Sequence, residues 1–285
     1  MKITINNMKA IVFIIFIITS LIGGSCKKKS SNDPSPSTGT VGFHLHTDLD
    51  SLEINVLDSV NNVLGRNWSL SIAQLYISNI QLIGLDGTLH SMPDTILKMV
   101  DTEEYIIGEA PVGNYKSVSF NVGLSPAINH NSNGPAGTDA AGNSSSGSIL
   151  NHQEMWLGDA TYPSGSNFNP TNGYIFVNFQ GKIDTSTSGV GPVSNMQPFC
   201  YQIGTDAMYT AVTMPEQDYT ITAGQLHLIH IVVHYNKLLT GVNFIHATPA
   251  TLNITNVAGN NVATNPVAKI IQSNISSMFM YESGE

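Results

Sequence analysis

The amino-acid sequence predicts an all-β fold: an antiparallel β-sandwich with long loops and a short C-terminal helix. Turn residues recur about every 8–15 positions, and the segments between them are short and rich in β-branched and aromatic residues, as in sandwiches and barrels. Near residue 265 the spacing of apolar residues changes from the alternation of a strand to that of a helix. Behind Asn265 and Pro266, which suit a helix N-cap and first turn, apolar residues follow at helical spacing: Val267, Ile270, Ile271, Ile275 and Met278. We therefore expect a helix over residues 265–280, docked on the sheet.

The N-terminus is typical of a bacterial lipoprotein signal peptide. Lys2 and Lys9 precede an apolar run, Ala10 to Ile22, which is shorter than the ~20 residues of a membrane-spanning helix. Small residues then lead directly to Cys26, whose thiol takes a diacylglycerol when such a signal is processed. An ordinary signal peptide with a chance cysteine is the alternative. We expect residues 1–25 to be removed and Cys26 to anchor the protein to the outer membrane of the cell envelope, facing the periplasm or the surface.

The composition of the remaining residues predicts a tether followed by one domain. Residues 26–39 are rich in serine, proline, lysine and glycine, and we expect a flexible tether. We expect residues 40–285 to form one β-sandwich domain. Within it, residues 129–149 have almost nothing to bury, so we expect a long disordered loop insertion.

Eight segments of the domain have the residue types and the alternation of β-strands, and the fifth and sixth are expected to pair. They are Val41–Thr47, Trp68–Leu85, Lys98–Val100, Tyr115–Gly123, Gly173–Gly181, Pro198–Ile203, Thr210–Met214 and Gln225–Tyr235.

Charge and motif content exclude several function classes. The formal net charge is −9, and loss of Lys2 and Lys9 with the signal peptide makes the mature chain more negative still. A basic surface for nucleic acid is therefore not expected. The sequence has no nucleophile elbow, no HExxH motif and no phosphate-binding glycine loop, so we expect a binding protein and not an enzyme. Cys200 is expected to be a small buried hydrophobe, and the acidic run with Asp101, Glu103 and Glu104 a solvated loop.

The spacing of histidines is the strongest chemical signal from the residues themselves. His44 and His46 lie two apart on the first predicted strand, so both imidazoles point to the same face, some 6–7 Å apart. The segment HLIHIVVHY holds His227, His230 and His234. A helix would place all three along one face, but the β-branched residues favour a strand, on which His230 and His234 share a face and His227 points away.

These positions give a metal hypothesis and a plain alternative. In the first, His44, His46, His230 and His234 converge on copper, or less readily on zinc, since neutral imidazole suits both ions and the Irving–Williams order favours copper. In the second, the histidines are ordinary polar positions on the outer face of the sheet. The apolar alternation of Val41, Phe43 and Leu45 supports the second, because it turns His44 and His46 away from the core.

Four segments, in order, resemble the MbnP-like copper-binding domain, a family of secreted β-sandwich proteins. They are LYISNIQLIGLDG (Leu75 to Gly87), APVGNYKSVSFNVGL (Ala110 to Leu124), EMW followed by NGYIFVNFQG (Glu154 to Gly181), and NPVAKIIQSNISSMFMYE (Asn265 to Glu282). The resemblance extends over roughly residues 40 to 282, nearly the whole mature chain.

The resemblance implies copper binding in the cell envelope, by histidines and, in some members, beside a modified tryptophan. Trp156 occupies the matching tryptophan position, and we expect either a core residue or an aromatic side chain near the metal. In the segment Phe199–Gly204, Gln202 stands where the family has a histidine. This departure favours a second functional hypothesis, in which the chain is a metal-free interaction or structural module of the cell envelope on the same fold.

Overall fold

The computed structural model describes residues 37–49, 52–53, 60–63, 65–131, 149–157, 168–254 and 265–282. Most of them form strands of two curled sheets, and the all-β prediction is confirmed. The predictions for the signal peptide, for Cys26, for residues 26–36 of the tether and for residues 132–148 of the loop insertion lie outside the described residues. Within the described ranges, no helix is both long and apolar enough to cross a membrane.

In chain order the strands are β1 (Thr38–Leu49), β2 (Leu52–Glu53), β3 (Val60–Val63), β4 (Arg66–Gly84), β5 (Leu89–Ser91), β6 (Ile96–Lys98), β7 (Glu104–Pro111), β8 (Gly113–Val122), β9 (Ile175–Asp184), β10 (Met196–Gly204), β11 (Thr210–Thr213), β12 (Tyr219–Ile221), β13 (Leu226–His234), β14 (Asn253–Ile254) and β15 (Phe279–Tyr281). The first sheet has the order β15-β13-β1-β2, with β7 also paired to β1. The second has the order β11-β8-β4-β9-β10-β14, with β12 on β8 and with β3, β5 and β6 on β4.

Most ladders are antiparallel, including the expected pair of β9 and β10, but two are parallel. The important one joins β1 to β13 in the centre of the first sheet, where His44 is the Cα partner of His230. The sequence did not predict this pairing. A hairpin turn forces neighbouring strands to be antiparallel, whereas strands far apart in the chain can pair in either direction.

The core lies between the two sheets. Phe43 from β1 meets Phe120 from β8, their ring centroids 6.0 Å apart, and Phe120 meets Phe279 from β15 at 4.9 Å. Val41 and Leu45 are buried on the same side of β1 as Phe43. The alternation of β1 therefore has the predicted direction: its odd positions fill the core, and its even positions, including His44 and His46, face outward.

The described residues also form three short α-helices: α1 (Pro126–Asn129), α2 (Pro249–Leu252) and α3 (Pro266–Asn274). The Asn265 side chain accepts hydrogen bonds of 3.0 Å from the backbone N–H groups of Val267 and Ala268, as expected of an N-cap. The α-helix ends at Asn274, before the expected residue 280, and continues as a 3₁₀ turn, Ile275–Met278, that leads into β15. The end of the chain thus returns to the edge of β13.

Candidate metal centre

Strand register brings three histidines together on the outer face of the first sheet. His44 and His46 project from the same side of β1, and the parallel ladder places His230 of β13 beside His44. One ring nitrogen from each of the three lies within 4.8 Å of the other two. We refer to His44, His46 and His230 as the histidine cluster.

The histidine cluster is tight and shielded. The Nδ1 atoms of His44 and His230 are 3.0 Å apart, and the ring centroids of His44 and His46 are 4.4 Å apart. The exposed fractions of the side chains are 20% for His44, 17% for His46 and 26% for His230. Donors of a tetrahedral ion with bonds of 2.0–2.1 Å are about 3.3 Å apart, so small side-chain rotations would close the set on one ion.

Two carboxylates border the histidine cluster. The carboxylate of Glu103 lies 3.2 Å from Nε2 of His44 and 3.7 Å from Nδ1 of His46. The carboxylate of Glu282 lies 3.3 Å from Nε2 of His46 and 3.4 Å from Nδ1 of His230. Each acid therefore bridges two imidazoles, and together they place negative charge where a cation would bind.

The interpretation of Glu103 as part of a solvated acidic loop missed this role, and sequence reasoning gave Glu282 none. Both side chains are about one-third exposed. Glu103 precedes β7 and Glu282 follows β15, so their positions depend on which strands flank β1 and β13. No local pattern in the sequence carries that information.

A buried lysine fixes the loop that delivers Glu103. The Lys98 side chain is fully buried, and its Nζ donates to the carbonyl oxygens of Met99 and, at 3.0 Å, of Thr102. The hydroxyl of Tyr105 also donates to the Thr102 carbonyl, at 2.9 Å. Burial lowers the pKa of Lys98 from the ordinary 10.5 to about 8, against the opposing attraction of the nearby acids. Lys98 thus holds the loop in place at an electrostatic cost.

The structure leaves the fourth predicted ligand, His234, outside the histidine cluster. Its Cα partner on β1 is Asp48, and its Nδ1 atom lies 3.9 Å from the Asp48 carboxylate. His234 lies four positions after His230, and a strand rises about 3.3 Å per residue, which puts the two side chains about 13 Å apart. They share a face, as expected, but they are too far apart to bind one ion.

Comparison with known proteins places the fold in a family. The model of the MbnP family matches residues 38–262. The chain belongs to the MbnP family. A solved structure, MbnP from Methylosinus trichosporium, is similar at 13% identity and a TM-score of 0.45, covering 82% of this chain and 87% of that one. A search of curated proteins finds no match.

In this MbnP domain the residues at the resembled tryptophan and histidine positions lie apart from the histidine cluster. Trp156 is buried; its Nε1 donates to the carbonyl of Leu150 at 3.1 Å, and its ring packs edge-on against Phe168. Gln202 lies on β10, in the second sheet, with Asn178 of β9 as its Cα partner. The described contacts of Trp156 are those of a core residue, and Gln202 belongs to the other sheet of the MbnP fold.

Proposed function

We propose that this MbnP domain binds one transition-metal ion, copper before zinc, through His44, His46 and His230. The observation that supports it is the convergence of three ring nitrogens to within 4.8 Å on one face of the sheet. Neutral imidazole is a good ligand of both ions, and affinity at nitrogen sites rises along the Irving–Williams order to copper. The donor set fits the metal that the family resemblance implies.

The two carboxylates refine the choice of ion. Glu103 and Glu282 are hard oxygen donors that lie beside the imidazoles, and they balance the charge of a divalent cation. No described cysteine thiolate, a soft ligand that selects Cu(I), belongs to the cluster. We therefore propose Cu(II) as the preferred form. Hydrogen bonds that ring N–H groups donate to the carboxylates would also fix the orientation of the imidazoles.

Loading the purified protein with copper tests this proposal. Protein made without a histidine tag should retain about one Cu(II) per chain after loading and dialysis, with an electron paramagnetic resonance spectrum that shows nitrogen coordination. The double variant His44→Ala plus His46→Ala should retain none, because a single imidazole is left. The proposal is wrong if the wild-type protein keeps no stoichiometric copper, or if the double variant keeps as much as the wild type.

A metal-free role is the second candidate, and the contacts between carboxylates and imidazoles favour it. Glu103 and Glu282 each bridge two of the three imidazoles, at 3.2–3.7 Å, so the polar groups of this face also satisfy one another. Gln202 in place of the family's histidine also favours it. On this second proposal the domain is an interaction or structural module of the envelope, and copper loading fails while the fold stays intact.

For localisation, we propose a binding protein tethered to the outer membrane through lipid on Cys26, with no catalytic activity of its own. The support is the charged, apolar and small-residue sequence of the first 26 positions. The variant Cys26→Ser should lose the acyl mass from its N-terminal peptide and move from the membrane fraction to the soluble fraction. Unchanged membrane association of that variant, with no lipid mass in the wild type, would rule out the anchor.

A further inference from the structure

The two carboxylates beside the histidine cluster face different ring nitrogens. Glu103 lies 3.2 Å from Nε2 of His44 and 3.7 Å from Nδ1 of His46. Glu282 lies 3.3 Å from the other nitrogen of His46, Nε2, and 3.4 Å from Nδ1 of His230. The Nδ1 atom of His230 is in turn 3.0 Å from Nδ1 of His44. The rings of His44 and His46 thus each turn one nitrogen toward Glu103 and the other toward His230 or Glu282.

Four atoms of this site are spaced like the donors of a metal ion. In order, they are Nδ1 of His44, Nδ1 of His230, Oε2 of Glu282 and Nε2 of His46, and successive atoms are 3.0, 3.4 and 3.3 Å apart. Neighbouring donors of a tetrahedral ion with bonds of about 2.0–2.1 Å lie roughly 3.3 Å apart. The Oε2 atom of Glu282 therefore has the spacing of a fourth donor beside the three ring nitrogens.

Glu103 has the geometry of a group that supports a ligand. Its Oε2 atom makes a hydrogen bond of 3.2 Å with Nε2 of His44. An ionised carboxylate can only accept, so this contact places the ring proton of His44 on Nε2 and leaves the lone pair of Nδ1 for a metal ion. Glu103 thus orients His44 from the side of the ring that faces away from His230.

The carboxylate of Glu282 lacks such a hydrogen bond. Its Oε2 atom is buried, although about one-third of the side chain is exposed, and it accepts no hydrogen bond from the residues that the structure describes. A buried carboxylate oxygen without a donor is unfavourable, and a cation beside it removes that cost. The two ring nitrogens at 3.3 and 3.4 Å mark the side from which a cation reaches this oxygen.

We propose that Glu282 supplies the fourth ligand of the metal ion through Oε2, and that Glu103 holds His44 by a hydrogen bond without touching the ion. The proposal rests on the metal function proposed above. It gives the site three nitrogen donors and one carboxylate oxygen. A mixed nitrogen and oxygen donor set favours Cu(II), whereas sulfur ligands select Cu(I).

The fourth ligand joins a third strand to the site. Glu282 follows β15, which pairs with β13, and its backbone N–H donates to the carbonyl of His230 at 3.2 Å. His44 and His46 belong to β1, and His230 belongs to β13. An ion bound by all four side chains therefore ties β15, β13 and β1 together, and metal binding should slow the opening of β15.

Glu282→Gln and Glu103→Gln form a matched pair of variants. Both glutamates are about one-third exposed and each contacts two imidazoles, so each change removes one negative charge from similar surroundings. Competition with a copper chelator of known affinity should show a loss of at least about 100-fold for Glu282→Gln and of about tenfold for Glu103→Gln. At protein concentrations that keep copper bound, the electron paramagnetic resonance spectrum of Cu(II) should change in Glu282→Gln, which loses an oxygen ligand, and stay that of the wild type in Glu103→Gln.

Hydrogen exchange gives a second measurement, which a change of charge alone does not move. One equivalent of Cu(II) should slow the exchange of the backbone amides of residues 279–282 in the wild type and in Glu103→Gln, but not in Glu282→Gln. Thermal unfolding of the metal-free proteins checks that the variants fold. Glu282→Asp keeps the charge but withdraws the oxygen by one methylene group. It should also lose affinity, and it replaces Glu282→Gln should that variant fail to fold.

The outcomes separate the two proposals. Equal losses of affinity in the two glutamine variants, or a wild-type spectrum in Glu282→Gln, overturn the ligand role of Glu282 and leave the histidine site standing. A changed spectrum in Glu103→Gln alone assigns the carboxylate ligand to Glu103 and overturns that role as well. A wild-type protein that holds no stoichiometric copper overturns both the metal function and its fourth ligand.

Discussion

Replacement of His230 by alanine is expected to weaken Cu(II) binding by at least about 100-fold, while the same replacement of His234 leaves the affinity almost unchanged. His230 supplies a ring nitrogen 3.0 Å from that of His44, whereas His234 lies against Asp48, outside the histidine cluster. Loss of a group that only supports a metal ligand typically costs about 10–100-fold in affinity, so loss of a direct ligand should cost at least the upper value. Competition with a copper chelator of known affinity measures both variants.

These two variants control for each other. Both histidines project from the outer face of β13 and both are partly buried, so alanine removes the same atoms from similar surroundings. Thermal unfolding of the metal-free proteins should show similar stability for the two variants. Equal loss of copper affinity in both would mean that the ion lies elsewhere on the strand, and undiminished affinity in both would mean that it lies elsewhere in the molecule.

Much of the site could be predicted from the sequence, because strand alternation is a local rule. Val41, Phe43 and Leu45 fixed which side of β1 faces the core, and therefore that His44 and His46 share the outer face. The β-branched residues between His230 and His234 correctly indicated a strand. The alternative hypothesis, in which the histidines are ordinary polar positions of the outer face, assumed that an outward side chain is solvated. On this sheet the outer face is covered by Glu103 and Glu282, and the three histidines are 17–26% exposed.

The remaining features depend on contacts between distant parts of the chain. The parallel register that pairs His44 with His230 joins strands 186 residues apart, and nothing local specifies it. Glu103 and Glu282 arrive from a loop and from the end of β15. The inclusion of His234 is a different case. Its common face with His230 was correctly predicted, but a distance of about 13 Å along the strand separates them, and the rise per residue was sufficient to exclude a shared ion.

Replacement of Lys98 by methionine is expected to abolish a rise in stability with pH that the wild-type protein shows. The pKa of Lys98 falls on folding from the ordinary 10.5 to about 8. Between those values the unfolded chain binds more protons than the folded one, so raising the pH stabilises the fold. Relative to Lys98→Met, the metal-free wild-type protein should therefore gain about 2 kcal/mol in unfolding free energy between pH 7 and pH 9.5. Urea unfolding at the two pH values measures this difference.

Lys116 is the matched control for Lys98, because its environment shifts its pKa in the opposite direction. It is partly exposed and lies 2.8 Å from Glu216, whose hydrogen bond and charge raise the pKa of Lys116. The contribution of Lys116 to the unfolding free energy is complete below pH 10.5 and is lost only at higher pH. The difference in unfolding free energy between the wild type and Lys116→Met should therefore stay constant between pH 7 and pH 9.5. If the difference in unfolding free energy between the wild type and Lys98→Met does not change with pH, the carbonyls of Met99 and Thr102 fully compensate the desolvation of the buried ammonium. The loop that carries Glu103 to the histidine cluster would then be held without electrostatic cost.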